Sequence, residues 1–134
     1  MKRTLVIGAA GQLGTELVAK LRDRYGTDSI VATDIREPED WSEAGPAARL
    51  DCLDADAVVE TVDRFDCDTV YHLAAVLSAA GEANPARAYR VNMTGLMNVL
   101  QVGARRSLRT ARAETGDQRC RAAWSSSADT RASG

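Results

Sequence analysis

The chemistry in this 134-residue chain is concentrated between Gly8 and Gly14. The run Gly8-Ala9-Ala10-Gly11-Gln12-Leu13-Gly14 follows the apolar Thr4-Leu5-Val6-Ile7, and Leu13, Leu17, Val18 and Leu21 fall on one apolar face of the helix that it opens. In such a GxxGxxG turn the first glycine permits a tight strand-to-helix corner. The second lets backbone amides approach an anion with no Cβ in the way, and the third lets helix and strand pack closely. The helix start supplies unpaired N–H donors and a partial positive charge, so a pyrophosphate is held without a lysine. Asp34 stands 20 residues beyond Gly14, at the end of Ile30-Val31-Ala32-Thr33. A carboxylate there accepts from ribose hydroxyls and repels a 2′-phosphate, which favours NAD over NADP; Arg36 is the counter-signal, since a nearby arginine holds that phosphate. The contacts expected from this unit are Gly8, Ala10, Gly11, Gln12, Leu13, Gly14, Asp34, Ile35 and Arg36. The alternative is that the glycines only build a tight turn in a flavodoxin-like or other open sheet. The complete strand-turn-helix-strand unit with Asp34 weighs against it.

Other reactive side chains read as packing or solvent. His72 is the single histidine and falls inside an apolar strand pattern, so a packed core role outweighs a catalytic one. Cys52, Cys67 and Cys120 have no paired spacing and no second ligand type nearby, so neither zinc nor a disulfide framework is expected. Asp54 and Asp56 are explained by capping of a following helix rather than as a catalytic carboxylate pair.

The elements that must position the turn follow from periodicity. Strands are predicted at Thr4–Ile7, Ile30–Asp34, Arg49–Asp51 and Thr69–Leu73. Helices are predicted from the glycine turn to Tyr25, from Asp54 to Phe65, and from Asn84-Pro85 through Ala88, Val91, Gly95, Val99 and Val102. Residues 35 to 48, with Pro38, Gly45 and Pro46, read as a loop. Strands alternating with helices imply an α/β fold: a Rossmann-type doubly wound parallel sheet, incomplete, of about four strands. The expected division is an NAD-binding portion over residues 1–103 and a poorly ordered basic tail over 104–134, where Leu108 and Trp124 are the large apolar groups.

Hydrophobic residues make up 45% of the chain and aromatics 4%, so the core must rest on Ala, Val, Leu and Ile. The net charge is -2, which argues against a nucleic-acid partner. The first 100 residues carry 10 basic and 16 acidic groups and the remainder 7 and 3; without interleaved aromatics this late basic stretch is not a nucleic-acid surface either. No apolar run approaches a membrane span. With the first strand beginning near Arg3, no room for a leader is expected, and the cytoplasm is the expected location.

Further residues carry a resemblance. They are Gly8 through Leu17, Arg24-Tyr25-Gly26-Thr27, Ala32 through Arg36, Tyr71-His72-Leu73-Ala74-Ala75-Val76-Leu77-Ser78, Gly81 through Pro85, and Asn92-Met93-Thr94-Gly95-Leu96. From residue 3 to about residue 102 the chain resembles the extended short-chain dehydrogenases, the NAD-dependent epimerase/dehydratase family, and within it the L-threonine 3-dehydrogenase branch. The resemblance implies that Asp51 and Cys52 lie under the adenine, with the Asp51 side chain near its amino group, and that Leu73, Ala74 and Ala75 line the path to the nicotinamide. It also implies that Ser78 sits beside a small-molecule substrate, that Asn92 sets backbone geometry behind the site, and that two copies dimerise through the helix after Pro85. In that branch threonine is oxidised by hydride transfer to NAD, with a Tyr-x-x-x-Lys pair as the acid/base. No such pair occurs here: the tyrosines are Tyr25, Tyr71 and Tyr89, and the lysines Lys2 and Lys20. The chain alone is therefore expected to bind NAD without turnover. The alternatives are an NAD-binding portion of a nucleotide-sugar epimerase or dehydratase, and a non-catalytic NAD-binding module. The resemblance also calls for a fifth strand soon after Asn92, and no run of four apolar residues follows to form it.

Overall fold

The computed structural model describes residues 2–38, 40–76 and 82–112. Ser78 and the segment from residue 113 onward, with Cys120 and Trp124, lie outside the described residues. The strands are β1 (Arg3–Ile7), β2 (Ile30–Asp34), β3 (Ala47–Arg49), β4 (Cys67–His72) and β5 (Arg109–Arg112). The α-helices are α1 (Gln12–Tyr25), α2 (Trp41–Ala44), α3 (Ala55–Phe65), α4 (Pro85–Tyr89) and α5 (Leu96–Arg106). A π-helical segment, Arg90–Gly95, joins α4 to α5.

The strands form one parallel sheet in the order β3-β2-β1-β4-β5. The chain winds outward from β1 to β3, then crosses back to β4, so the order reverses beside β1. In an open α/β sheet the crevice for a ligand lies at the carboxyl ends of the strands flanking that reversal. Because helices cover both faces, the central strands are buried on both sides and read as continuous apolar runs. Leu5, Ile7, Val31 and Val70 pack with Val58 and Val62 of α3 and Val99 and Val102 of α5. Val6, Ile30 and Ala32 point the other way, against Val18, Leu17 and Leu21 of α1.

Local chemistry ends the helices where expected. Gly26 closes α1 with φ 92°, where a side chain would be strained, and its amide donates to the Arg22 carbonyl at 2.9 Å. The Asp54 carboxylate accepts from the Ala57 amide at 3.0 Å at the start of α3. Asn84 does the same for Arg87 at 3.0 Å, with Pro85 in the first turn of α4.

Four expectations need correction. The third strand runs from Ala47 to Arg49, earlier than Arg49–Asp51, because its pairing is set by main-chain register with β2: Ala32 opposite Ala47 and Asp34 opposite Arg49. The stretch read as a loop contains the single turn α2. Leu13, expected on the buried face of the first helix, is 59% exposed at its outer start. Regular structure also continues past 103: α5 reaches Arg106, and β5 pairs in parallel with β4, Thr69 opposite Arg109 and His72 opposite Arg112. An edge strand of this kind needs only the neighbour's backbone, so no apolar pattern announces it. Among the described residues no helix is long and apolar enough to cross a membrane.

Candidate functional site

The glycine turn is built by contacts that differ at each glycine. Gly8 leaves β1 with φ 89°, and a Cβ there would stand 2.6 Å from the Ala74 nitrogen and 2.8 Å from the Leu73 carbonyl carbon. A Cβ on Gly14 would press on the Gly8 carbonyl oxygen and lie 2.7 Å from the Ala9 Cα. Both positions are closed by backbone, which cannot swing aside, so the fold itself demands glycine there. Gly11 is different. It has ordinary extended torsions, φ -74° and ψ 170°, and a Cβ would meet only the Gly8 carbonyl oxygen at 3.4 Å. The fold tolerates a side chain at Gly11; the space it leaves opens into the cleft that Gly11 lines.

Gly11 is also the N-cap of α1, with no side chain capping the helix and no acid in its first turn. Nothing on the helix start competes with an incoming anion. The turn is pinned to β2 by the Gly8 and Ala9 amides, which donate to the Thr33 carbonyl at 2.8 and 3.0 Å. Asp34 continues that seam: one carboxylate oxygen accepts from the Ala10 amide at 3.1 Å and the other from the Arg36 amide at 3.1 Å. The Arg36 guanidinium lies 3.8 Å from the same carboxylate, but its side chain is 73% exposed, so solvent screens that pair.

A cleft of about 660 Å³ opens over the carboxyl ends of β1, β2 and β4. Its wall brings together Gly8, Gly11, Asp34, Ile35, Arg36, Asp51, Cys52, Leu73, Ala74 and Ala75 from the sequence-predicted set. Ala10, Gln12, Leu13, Gly14 and Asn92 are not on that wall. Ala10 acts through its amide on Asp34, Gly14 lies beneath the turn, and Gln12 and Leu13 sit exposed at the helix start. Asn92 stands behind the wall: its side-chain oxygen accepts from the Val76 amide at 2.8 Å and its amide nitrogen donates to the Val76 carbonyl at 3.0 Å. His72 is buried and does not line the cleft.

Sequence reasoning missed Ile7, Leu50, Leu53, Val76, Arg87 and Val91 on the wall, and Asn98 behind it. Asn98 carried a readable signal. It falls on the same helical stripe as Gly95, Val99 and Val102, and a carboxamide on an apolar stripe implies a partner. Cys52 is buried in the wall; burial, then the negative charge of Asp51, pushes its thiol up to about 11. That leaves a neutral packing thiol at neutral pH, not a nucleophile. Among the described residues no cluster of His, Cys, Asp or Glu is placed to hold a metal.

The residues present fit a dinucleotide: bare amides at an uncapped helix start, a buried carboxylate at the tip of β2, and small Ala74 and Ala75 on the far wall. The chain is 52% identical over 103 residues to an uncharacterized epimerase/dehydratase of Staphylococcus aureus strain USA300, a match covering 75% of this chain. It spans 32% of that relative's length. An L-threonine dehydrogenase from Clostridium difficile superposes with TM-score 0.79 and 37% identity, over 84% of this chain and 36% of that one. A UDP-glucose 4-epimerase from Thermus thermophilus, solved in complex with NAD, superposes with TM-score 0.70 and 26% identity, over 79% of this chain and 35% of that one. With the family model for NAD dependent epimerase/dehydratase matched across residues 4–118, through the glycine turn and every wall of the cleft, the chain belongs to that family.

Proposed function

We propose that the cleft binds NAD and that the chain is the NAD-binding portion of an oxidoreductase of the L-threonine 3-dehydrogenase type. The observation that carries this is Gly11: a glycine that the fold does not require, on the wall of the cleft, at the uncapped start of α1. Bare backbone at this point, open to the cleft and not demanded by packing, suits a ligand that comes close to the start of α1.

In this reading the first amides of α1 hold the pyrophosphate and the Asp34 carboxylate accepts from the adenosine ribose. Asp51 and Cys52 form the adenine side, and Leu73, Ala74 and Ala75 the side nearer the nicotinamide. NAD, when bound, supplies a hydride acceptor. Oxidising a secondary alcohol such as threonine's also requires a base for the hydroxyl proton. The chain has no Tyr-x-x-x-Lys to serve as one. It therefore binds the cofactor without turning over threonine unaided.

Two other readings share the same site. Likeness to the UDP-glucose 4-epimerase supports a nucleotide-sugar enzyme, and the cleft by itself would equally serve a non-catalytic NAD-binding module. The higher TM-score and identity of the threonine dehydrogenase favour the first reading. Buried, unbridged Cys52 and Cys67 fit a reducing compartment, the cytoplasm. Tyr89, Met93 and Met97, exposed at four-residue spacing along the rod from α4 to α5, support self-association on that face.

Titrating the chain with NAD by calorimetry tests the site, and following NADH formation with threonine tests the chemistry. Binding without turnover is the expected result. No binding at millimolar NAD overturns the cofactor reading, and robust turnover overturns the role given to the missing tyrosine.

A further inference from the structure

The turn from Asp51 to Asp54 is gripped from behind by a side chain outside the glycine turn and the cleft wall. In α5 the Asn98 carboxamide donates to the carbonyl oxygens of Cys52 and Leu53, at 2.9 and 3.1 Å. One helical turn earlier, Gly95 makes room for the same loop: a Cβ there would stand 2.6 Å from the Cys52 Sγ. From within, the Asp51 carboxylate accepts from the Leu53 amide at 2.9 Å, and the Asp51 carbonyl accepts from the Asp54 amide at 3.1 Å. Asp51, Cys52 and Leu53 all line the cleft. The direction in which Asp51 faces the cleft is thus set jointly by its own short turn and by a carboxamide 47 positions further along the chain.

We propose that Asn98 is a positioning residue for the purine end of the cleft, holding Asp51 where its carboxylate distinguishes a 6-amino from a 6-oxo purine. This rests on the reading that the cleft takes NAD and on the place beside the adenine amino group that the family resemblance gives Asp51; the new element is the hold that Asn98 has on it. A carboxylate accepts from an exocyclic amino group and repels a carbonyl oxygen, so the choice between the two depends on where that carboxylate is held. Loss of the Asn98 donors frees two carbonyls and lets the turn relax, while the glycine turn, fastened to Thr33 and Asp34, stays in place.

The test uses the full chain and the variants Asn98→Ala and Asn98→Asp. The dinucleotide probes are NAD and nicotinamide hypoxanthine dinucleotide, followed by calorimetry, and amide exchange is followed in the ligand-free chain. Wild type is expected to prefer NAD. Both variants are expected to weaken NAD by about tenfold, the analogue much less, so that the preference narrows. Exchange at Leu53 and Asp54 should rise while Leu5 and Val31 stay protected. The aspartate variant keeps the volume of asparagine and sets an acceptor against two acceptors, so a role in packing alone would be rescued by it and the proposed role would not. Equal weakening of both dinucleotides, rescue by aspartate, or unchanged exchange at Leu53 overturns the proposal. A wild-type chain that binds neither probe overturns the cofactor reading and the purine selectivity with it, while exchange at Leu53 still judges the grip on the turn by itself.

Discussion

The Asp34 carboxylate accepts a hydrogen bond from the Ala10 amide at 3.1 Å, tying the tip of β2 to the turn that follows β1. The acid expected to grip a ribose therefore also shapes the loop expected to cradle the phosphates. Its removal acts on both. Asp34→Ala leaves the part-buried Ala10 amide without its acceptor and is expected to cost about 1–3 kcal/mol of stability, together with NAD binding. Asp34→Asn keeps an acceptor and should lose affinity with a smaller loss of stability. Urea unfolding and calorimetry on the two variants check this; an Asp34→Ala chain as stable as wild type would refute the tie.

The three glycines separate into two kinds. Gly14→Ala forces a Cβ onto the Gly8 carbonyl and the Ala9 backbone, so a destabilisation of about 1–3 kcal/mol or more is expected. Gly11→Ala meets a single ordinary contact and should melt near the wild-type temperature. Thermal unfolding of the pair is decisive, and equal destabilisation of both would contradict the distinction.

Asn92 holds Val76 by two hydrogen bonds where the chain leaves β4 for the cleft wall. Asn92→Ala should cost about 1–3 kcal/mol for the pair and speed amide exchange at Val76. Asn92→Asp keeps an acceptor for the Val76 amide but faces its carbonyl with a second acceptor, so it should restore little. Unchanged exchange at Val76 in Asn92→Ala would show that the clamp does not govern this segment.

Two buried thiols give a signed dependence on pH. Burial raises Cys52 from 9.0 to about 11 and Cys67 from 9.0 to about 12. The folded state binds these protons more tightly than the unfolded chain. Their contribution is thus complete below about pH 9 and is lost as pH rises through 11 and 12. Unfolding midpoints should fall across that window, and Cys52→Ala should flatten the part between 9 and 11. A midpoint that rises with pH there would reverse the sign.

Where side-chain pattern decides structure, the sequence was legible. The apolar runs of β1 and β2, the caps Asp54 and Asn84 and the stop at Gly26 all appear where periodicity and turn chemistry put them. Where main-chain pairing decides, it was not. Ala47–Arg49 and Arg109–Arg112 are edge strands recruited by β2 and β4 through backbone groups that every residue carries. The site divides in the same way. The glycines and Asp34 were readable from type and spacing, whereas Asp51 and Cys52 were reached only through the family resemblance. Leu13 was misplaced because helical periodicity does not say which first-turn residue the sheet leaves uncovered; the place of Asn98 on an apolar stripe signalled that it has a partner, but that the partners are two carbonyls 46 and 45 positions away is visible only in the fold.

The most direct measurement is calorimetric titration of NAD into wild type and Gly11→Val, with the thermal midpoint of each. The expected result is saturable binding by wild type, a gain in stability of about 2.7 kcal/mol at a hundredfold excess of NAD over its Kd, and a folded Gly11→Val chain that binds none. A Gly11→Val chain that binds NAD as wild type does would contradict the claim that bare backbone at the start of α1 receives the cofactor.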